Sequence, residues 1–231
     1  LGSPALGMLM GQAALRGDGT TLDSELPDDT RQALAAWMEA NAAELQKQHM
    51  APQVMQMFEP WFVALMVAIV EMQKAGLDSE LGLDLHLAQR AARTGKATGG
   101  LETGAQQIAF LDGMDRTEQI QFLQESLNSA ADGRAEIERL HAAWRQGDVE
   151  GLWEGMAVDM RKQFPKLYHR INVERNDAWL KGLEARLEAP GTDDTLVVVG
   201  ALHLLGEDGV VEKLRAKGYE VERICSACPA K

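Results

Sequence analysis

The segment from residue 195 to residue 224 constrains the fold of this chain more than any other part of the sequence. Thr195–Val199 is a β-branched apolar run with the length and composition of a buried parallel strand. Residues 207–209, Glu-Asp-Gly, are typical of a helix start, and Gly218 is placed to end that helix. Tyr219–Ile224 alternates like a second strand. A strand, a helix and a returning strand form a right-handed parallel unit, which we expect here.

A histidine lies at the first turn of this predicted unit. Gly200 ends the first strand, and His203 follows three residues later, at the edge where open α/β sheets bind ligands. Imidazole is a common transition-metal ligand and titrates near neutral pH, so His203 is a candidate metal ligand or general base. Gly200 would let the backbone approach a bound group without a clashing Cβ atom. The alternative for His203 is a capping or hydrogen-bonded loop histidine without a chemical role.

The rest of the chain predicts helices almost throughout. Helix-initiating residues recur at Pro27, Pro60, Asp115, Asp148 and Pro165. Lys96–Leu101 is a weak strand, poor in β-branched residues. We therefore expect an α/β fold: a helix-rich domain with a small mixed or parallel sheet and the C-terminal strand-helix-strand unit. Three strands are few for seven or eight helices, so we expect further strands before Leu1.

Composition excludes several classes of function. The 231 residues carry a formal charge of −12, and such a surface repels phosphate backbones, so we expect no nucleic-acid partner. The longest apolar run, Trp61–Val70, is about half of a bilayer span, so we expect no transmembrane span. Residues 1–14 lack the basic start of a signal peptide. No P-loop, GxGxxG, HExxH or GxSxG motif occurs, and we expect no nucleotide cofactor.

The two cysteines, Cys225 and Cys228, form a single CxxC near the C-terminus. One CxxC cannot complete a zinc site alone, so the pair is expected either as free thiols or as a local disulfide. A redox-active pair would usually open a helix after a strand. Here Pro229 and the end of the chain follow, which argues against a redox role.

The C-terminal string VVVGALHLLGEDGVVEKLRAKGYEVERI resembles the closing motif of the TraB/GumN family, which includes bacterial pheromone-shutdown proteins and has the Tiki metalloproteases as distant relatives. The resemblance covers nearly the whole chain, with features in the family's order. These further features are Asp18–Leu22, Glu59–Trp61, Gly82–Asp84, Gly95–Lys96, Gly100–Thr103, Gln106, Leu111, Gln119, Trp144–Asp148 and Arg175–Trp179.

The resemblance implies a single TraB/GumN-like domain over residues 1–231. The family carries two GxxH motifs, whereas this sequence has only Gly200–His203. We therefore expect the N-terminal strands and the first GxxH motif to be missing from this chain. The implied function is a metal-dependent hydrolase, a peptidase or amidase, in the bacterial periplasm or envelope. The alternative is a non-catalytic protein of the same fold that sequesters a peptide or other ligand.

The resemblance also implies a set of site residues. His203 and Glu102 would hold a divalent metal (Mn, Co or Zn), and Glu102 would accept a proton from metal-bound water. Arg175 would stabilise negative charge on a peptide or small-molecule substrate. Gly200, Asp84 and Asn176 are further candidates. The structural alternatives are a first-turn helix glutamate for Glu102, an ordinary ion pair for Arg175, an N-cap for Asp84 and a helix-surface residue for Asn176.

Overall fold

The secondary structure of this protein is helical. The structure, a computed structural model, describes residues 4–191, 194–225 and 228 of the chain. These residues contain no β-strand, and their only β-type pairing is an isolated antiparallel bridge between Leu15 and Phe58. The expected α/β fold with a small sheet and a C-terminal strand-helix-strand unit is therefore wrong for this part of the chain.

Thirteen α-helical segments follow one another along the described residues, and the eighth is interrupted at Gly133, which has φ +73° and ψ −165°. They are α1 (Pro4–Ala14), α2 (Asp28–Ala40), α3 (Ala42–Lys47), α4 (Pro52–Met55), α5 (Pro60–Lys74), α6 (Leu83–Arg93), α7 (Gly104–Asp112), α8 (Arg116–Gln146), α9 (Val149–Trp153), α10 (Asp159–Gln163), α11 (Pro165–Tyr168), α12 (Glu174–Leu187) and α13 (Val210–Ala216). Short π-helical turns at Glu154–Val158 and His169–Val173 join α9 to α10 and α11 to α12. Three short 3₁₀ turns lie at Leu22–Ser24, Ser79–Leu81 and Ala201–Leu204.

The segments expected to be strands are irregular chain. Residues 96–101, 195–199 and 219–224 form no ladder with any described segment. Side chains of the second segment, which the sequence predicts to be buried, are exposed: Leu196 by 74% and Val197 by 41%. A strand is stabilised by the backbone hydrogen bonds and the covered faces that neighbouring strands provide. β-Propensity alone therefore produces no strand where the described chain offers no partner.

One compact unit comprises Leu1–Leu81 and Thr103–Ile137. Its core is one continuous apolar cluster supplied mainly by α2, α5 and α8. Helix α5 is central because its apolar residues surround the axis, and Trp61, Val63 and Val67 are fully buried. The predicted capping box before α8 is present: Glu118 N donates to Asp115 Oδ1, and Asp115 N donates to Glu118 Oε2, each at 2.9 Å.

The second compact unit comprises Gly82–Glu102 and Glu138–Lys231. The helical run from residue 165 to residue 187 is its main element, and Pro165 opens this run as the sequence predicts. Its apolar packing is divided into small clusters, one of them built from Ala143, Leu152 and Leu205. The single-domain extent of the chain stays a prediction. Within the described residues, no helix combines the length and hydropathy that crossing a bilayer requires.

Candidate functional site

His203 lies in a short turn whose ends are fixed by packing. Gly200 O accepts a hydrogen bond from His203 N at 3.0 Å and opens the 3₁₀ turn Ala201–Leu204. Leu205 then enters the cluster with Leu152. Gly206 has φ +68°, and a Cβ atom there would stand 2.4 Å from the Trp153 ring. The glycine is therefore required for the turn to close against α9, and the imidazole is held on a rigid support.

The orientation of the imidazole is set by Asn176 on α12. Asn176 Nδ2 donates to the backbone oxygen of Asp208 at 2.7 Å, which leaves Oδ1 directed at His203 Nδ1, 2.8 Å away. Because Oδ1 can only accept, the His203 Nδ1 must carry the proton. The neutral ring then presents its lone pair on Nε2. This arrangement, with one ring nitrogen anchored and the other free, is how proteins prepare a histidine for a metal or a reacting group.

The surroundings of His203 keep the ring neutral. The residue is 9% exposed, and the pKa of its imidazole is lowered to about 4, chiefly by burial. The positive charge of Arg175 contributes to this lowering, while the charge of Glu102 opposes it. At neutral pH, His203 is therefore an uncharged donor ligand or a weak proton acceptor. An imidazole with so low a pKa fits the ligand role better, since ligation requires the neutral form.

Glu102 and Arg175, the other two main candidates, form an ion pair close to this ring. Arg175 Nη2 donates to Glu102 Oε1 at 2.6 Å, and Arg175 Nε donates to Oε2 at 3.1 Å. Trp179 Nε1 also donates to Oε2, at 3.3 Å, and the Trp179 ring packs 4.5 Å from the His203 ring. The Arg175 guanidinium lies over the same indole at 5.0 Å. Trp179 thus links the ion pair to the histidine.

A second layer of polar groups supports Asn176. The Tyr168 hydroxyl donates to Asp208 Oδ2 at 3.3 Å and accepts a hydrogen bond from Asn172 Nδ2 at 3.1 Å. Arg161 pairs with Asp208 at 3.9 Å, and burial raises the pKa of the Tyr168 phenol. The π-helical turn lies between α11 and α12, and Asn172 and Asn176 on this run are fully buried. Such turns are frequent at functional sites.

The structure brings five of the six sequence-predicted residues together: His203, Gly200, Glu102, Arg175 and Asn176. The helix-surface alternative for Asn176 is wrong, because this side chain is fully buried. Gly200 lies at the start of the histidine turn with φ −58° and ψ 143°, and a Cβ atom there would make an ordinary 3.7 Å contact with His203 Cδ2. The fold itself therefore accepts a side chain at this position.

Asp84 is not joined to these residues by any described hydrogen bond or ion pair. It is an exposed residue in the first turn of α6, a helix with no buried residue. The N-cap of α6 is Gly82, so the N-cap alternative for Asp84 is wrong. None of its described contacts involves His203, Glu102 or Arg175.

The described residues do not make a metal site on their own. They contain no group of three or more His, Cys, Asp or Glu side chains that could hold an ion. His203 Nε2 is a suitable donor, but both oxygens of Glu102 are engaged by Arg175 and Trp179. One imidazole is too few for the three or four protein ligands that zinc sites use. The sequence predicts that His203 and Glu102 bind a metal together, but in this arrangement the oxygens of Glu102 are already hydrogen-bonded to other side chains.

Apart from Asn176, sequence reasoning missed the groups that support the site. Trp179 entered the sequence analysis only within the Arg175–Trp179 segment of the family resemblance, and Asp208 only as a helix-start acid. Asn172 and Asn176 are four residues apart in line with Leu180 and Leu183, which is one face of a helix. Two asparagines on an otherwise apolar face are the signal that predicts a buried polar network.

The site thus consists of a buried histidine anchored by an asparagine, beside an arginine–carboxylate pair, on a helical framework. The model of the TraB/PrgY/gumN family matches residues 2–223. The chain belongs to this family.

Curated relatives are similar over about two thirds of the chain. The zebrafish protein named Metalloprotease TIKI2 is 27% identical over 164 residues, 61% of this chain and 32% of that protein. YbaP of Escherichia coli strain K12, named as uncharacterized, is 28% identical over 156 residues, 67% of this chain and 56% of YbaP. Zebrafish Metalloprotease TIKI1 is 26% identical over 170 residues. The matches thus span about a third to just over half of these relatives, and no solved structure matches significantly.

Proposed function

We propose that this chain is part of a hydrolase that cleaves peptide or amide bonds, with His203 as the residue that meets the reacting group. The observation that carries the proposal is the neutral ring with its Nδ1 proton held by Asn176 and its Nε2 left to act. Similarity to two proteins named metalloproteases supports the peptide class of substrate. Periplasmic or envelope location is part of the proposal and is supported by the Cys225–Cys228 disulfide, since disulfides persist in oxidising compartments.

Each residue of the site has a role in this proposal. His203 Nε2 would bind or accept a proton from the attacking group. Arg175 would stabilise developing negative charge with N–H groups that it does not donate to Glu102, while its two bonds to Glu102 fix the plane of the guanidinium. Asn176 is a positioning residue, since it acts through the imidazole. The proposal also includes dependence of the activity on Mn, Co or Zn. His203 supplies one of the several ligands that such an ion needs.

The experiment is hydrolysis of a quenched-fluorescence peptide library by the chain, with Mn²⁺, Co²⁺ or Zn²⁺ and with chelator. We expect turnover by the wild type and a loss of about a hundredfold or more in His203→Gln. His169→Gln is the matched control, because the His169 side chain is 59% exposed and pairs with Glu174 at the surface. Turnover that is equal in wild type and His203→Gln, or absent with every metal, would contradict the proposal.

Gly200→Ala tests the close approach of a bound group to the imidazole. The added methyl group meets only the His203 ring, at van der Waals distance, so folding should be unaffected within about 0.5 kcal/mol. The methyl group would stand beside Cδ2, next to the reactive Nε2. We expect lost turnover with unchanged stability. Unchanged turnover would show that no ligand uses this approach.

The engagement of Glu102 favours a second candidate function. A carboxylate that is already neutralised by Arg175 and bonded to Trp179 suits a fixed binding surface better than a proton acceptor. In this alternative, the chain sequesters a peptide or another ligand without turnover. Calorimetry discriminates the two functions: tight peptide binding that survives both chelation and His203→Gln, without hydrolysis, would establish sequestration.

A further inference from the structure

The two cysteines at the C-terminus form a disulfide that lies on a defined surface. Cys225 and Cys228 are bonded and half-buried. The turn between α8 and α9 lies beneath the sulfur atoms: a Cβ atom at Gly147 would stand 2.8 Å from Cys225 Sγ and 3.3 Å from Cys228 Sγ. Gly147 also has φ +68°, which favours glycine. The disulfide therefore packs against this turn only because residue 147 is a glycine.

An arginine stands beside one of the two sulfur atoms. Arg223 Nη2 lies 3.4 Å from Cys228 Sγ and donates to the backbone oxygen of Gly147. The carbonyl oxygens of Gln146 and Gly147 are farther from Cys228 Sγ, at 3.8 and 4.0 Å. A full positive charge nearer than two carbonyl dipoles favours a thiolate on Cys228 when the bond is broken. No comparable cation contact is described for Cys225.

The bridge is a weak structural constraint. Its cysteines are three positions apart in sequence, and the entropic stabilisation that a disulfide provides is smallest for the shortest loops. Both cysteines are partly exposed, and exposure is a condition for attack by another thiol. A short, reachable bridge with a cation beside one sulfur has the features of an exchangeable disulfide.

We propose that Cys225–Cys228 is a thiol–disulfide exchange site that takes electrons from a dithiol protein of the thioredoxin class, and that its reduction releases residues 219–225 from the turn at Gly147. The sequence argued against a redox role because no helix follows the CxxC. The structure supplies Arg223 in place of a helix N-terminus as the group that stabilises the thiolate.

The exchange proceeds in two balanced steps. A thiolate of the dithiol attacks Cys225 Sγ, a mixed disulfide forms, and Cys228 leaves as a thiolate beside Arg223. The second thiol of the reductant then attacks the reductant's first sulfur, which is bonded to Cys225 in the mixed disulfide, and Cys225 is released as a thiolate. The reductant leaves as a disulfide, two electrons pass to the chain, and both cysteines become free to take up protons.

The test is the rate at which a thioredoxin-class dithiol protein, and dithiothreitol as a small probe, reduce the oxidised chain. Alkylation and mass spectrometry report free thiols. We expect Arg223→Gln to be reduced about threefold more slowly than wild type, and Arg223→Lys to recover most of the rate. Arg215→Gln is the matched control, because Arg215 Nη2 donates to Val221 O in the same segment and pairs with Glu212.

Three results would overturn the proposal. One is a wild-type disulfide that stays oxidised in excess dithiol. Another is an Arg223→Gln rate equal to that of Arg215→Gln. The third concerns release: because Arg223 is bonded to Gly147 O, trypsin should cleave after Arg223 faster on reduction and in a Cys225→Ser, Cys228→Ser variant. An unchanged rate of cleavage would show that the bridge does not hold the segment. None of these readouts depends on hydrolysis by this chain or on His203.

Discussion

The interiors of the two compact units differ in how their buried side chains are arranged. The unit containing α2 and α5 packs one continuous apolar cluster, whereas the unit containing α12 has small apolar clusters. Both units bury polar residues. Most of those in the first unit bond close in sequence, as Gln119 does to the backbone oxygen of Met114 five residues away. In the second unit, Asn176 bonds groups of His203 and Asp208, 27 and 32 residues away, so buried polar groups there fix the orientation of a distant side chain.

The largest effect is expected from the apolar cluster. Leu34→Ala removes a fully buried side chain and leaves a cavity, which should lower the free energy of unfolding by about 3 kcal/mol. Urea denaturation measures this change. The pKa of His203 should stay where it is, because the variant touches no group of the site. A cost below about 1 kcal/mol would show that the cluster is not closely packed.

Asn176→Leu should have the next largest effect. It removes the partner of His203 Nδ1 and of the Asp208 carbonyl, so two buried polar groups lose their hydrogen bonds. We expect a loss of about 2 kcal/mol in the free energy of unfolding, although the side-chain volume is nearly kept. Asn128→Leu on exposed α8 surface is the control and should change little. Equal costs for the two variants would contradict the polar-network account.

The low pKa of His203 predicts a pH dependence of stability. The imidazole takes up its proton near pH 6.5 in the unfolded state but only near pH 4 in the folded state. The neutral ring therefore contributes fully to the free energy of unfolding above pH 6.5, and this contribution is lost as the pH falls toward 4. We expect about 2 kcal/mol of stability to be lost by pH 5 and about 3 kcal/mol by pH 4. His203→Gln should abolish this part of the dependence, and His169→Gln should retain it. Identical pH profiles for all three proteins would contradict the assignment.

The Glu102–Arg175 pair should have the smallest effect on stability. Its side chains are 16% and 18% exposed, so water screens part of the attraction, and Arg175→Gln should cost about 1 kcal/mol or less. The sharper readout is the pKa of His203, followed by NMR. That pKa should rise in Arg175→Gln and fall in Glu102→Gln, since the two charges act in opposite directions. Shifts in the same direction would show that the pair acts only through packing.

The sequence was sufficient where the deciding contacts are local. The Asp115–Glu118 capping box and the Pro165 helix start were predicted correctly because their partners lie within a few residues. Helix α5 was predicted because its apolar residues surround the axis within one continuous segment. The strand at Thr195–Val199 was wrong because a strand depends on distant neighbours, which no described segment provides. A β-branched run shows only that a segment favours the extended conformation, not that it pairs with another strand.

The site was predicted in composition better than in arrangement. His203, Glu102 and Arg175 were named from a glycine–histidine spacing and a family resemblance, and the structure places them together. Their mutual bonding was not predicted: Glu102 faces Arg175 and Trp179, while Asn176 orients the imidazole. Such partners lie 27 to 77 residues apart in sequence, so no local pattern pairs them.

The most direct test of this account is the ¹⁵N NMR titration of the His203 ring, assigned by comparison with His203→Gln. The account predicts that, at pH 7, the proton is on Nδ1 and Nε2 is unprotonated, with a transition only near pH 4. A proton on Nε2 at pH 7, or a titration near pH 6.5, would contradict it. Asn176 would then not be orienting the imidazole, and the site would have no prepared donor.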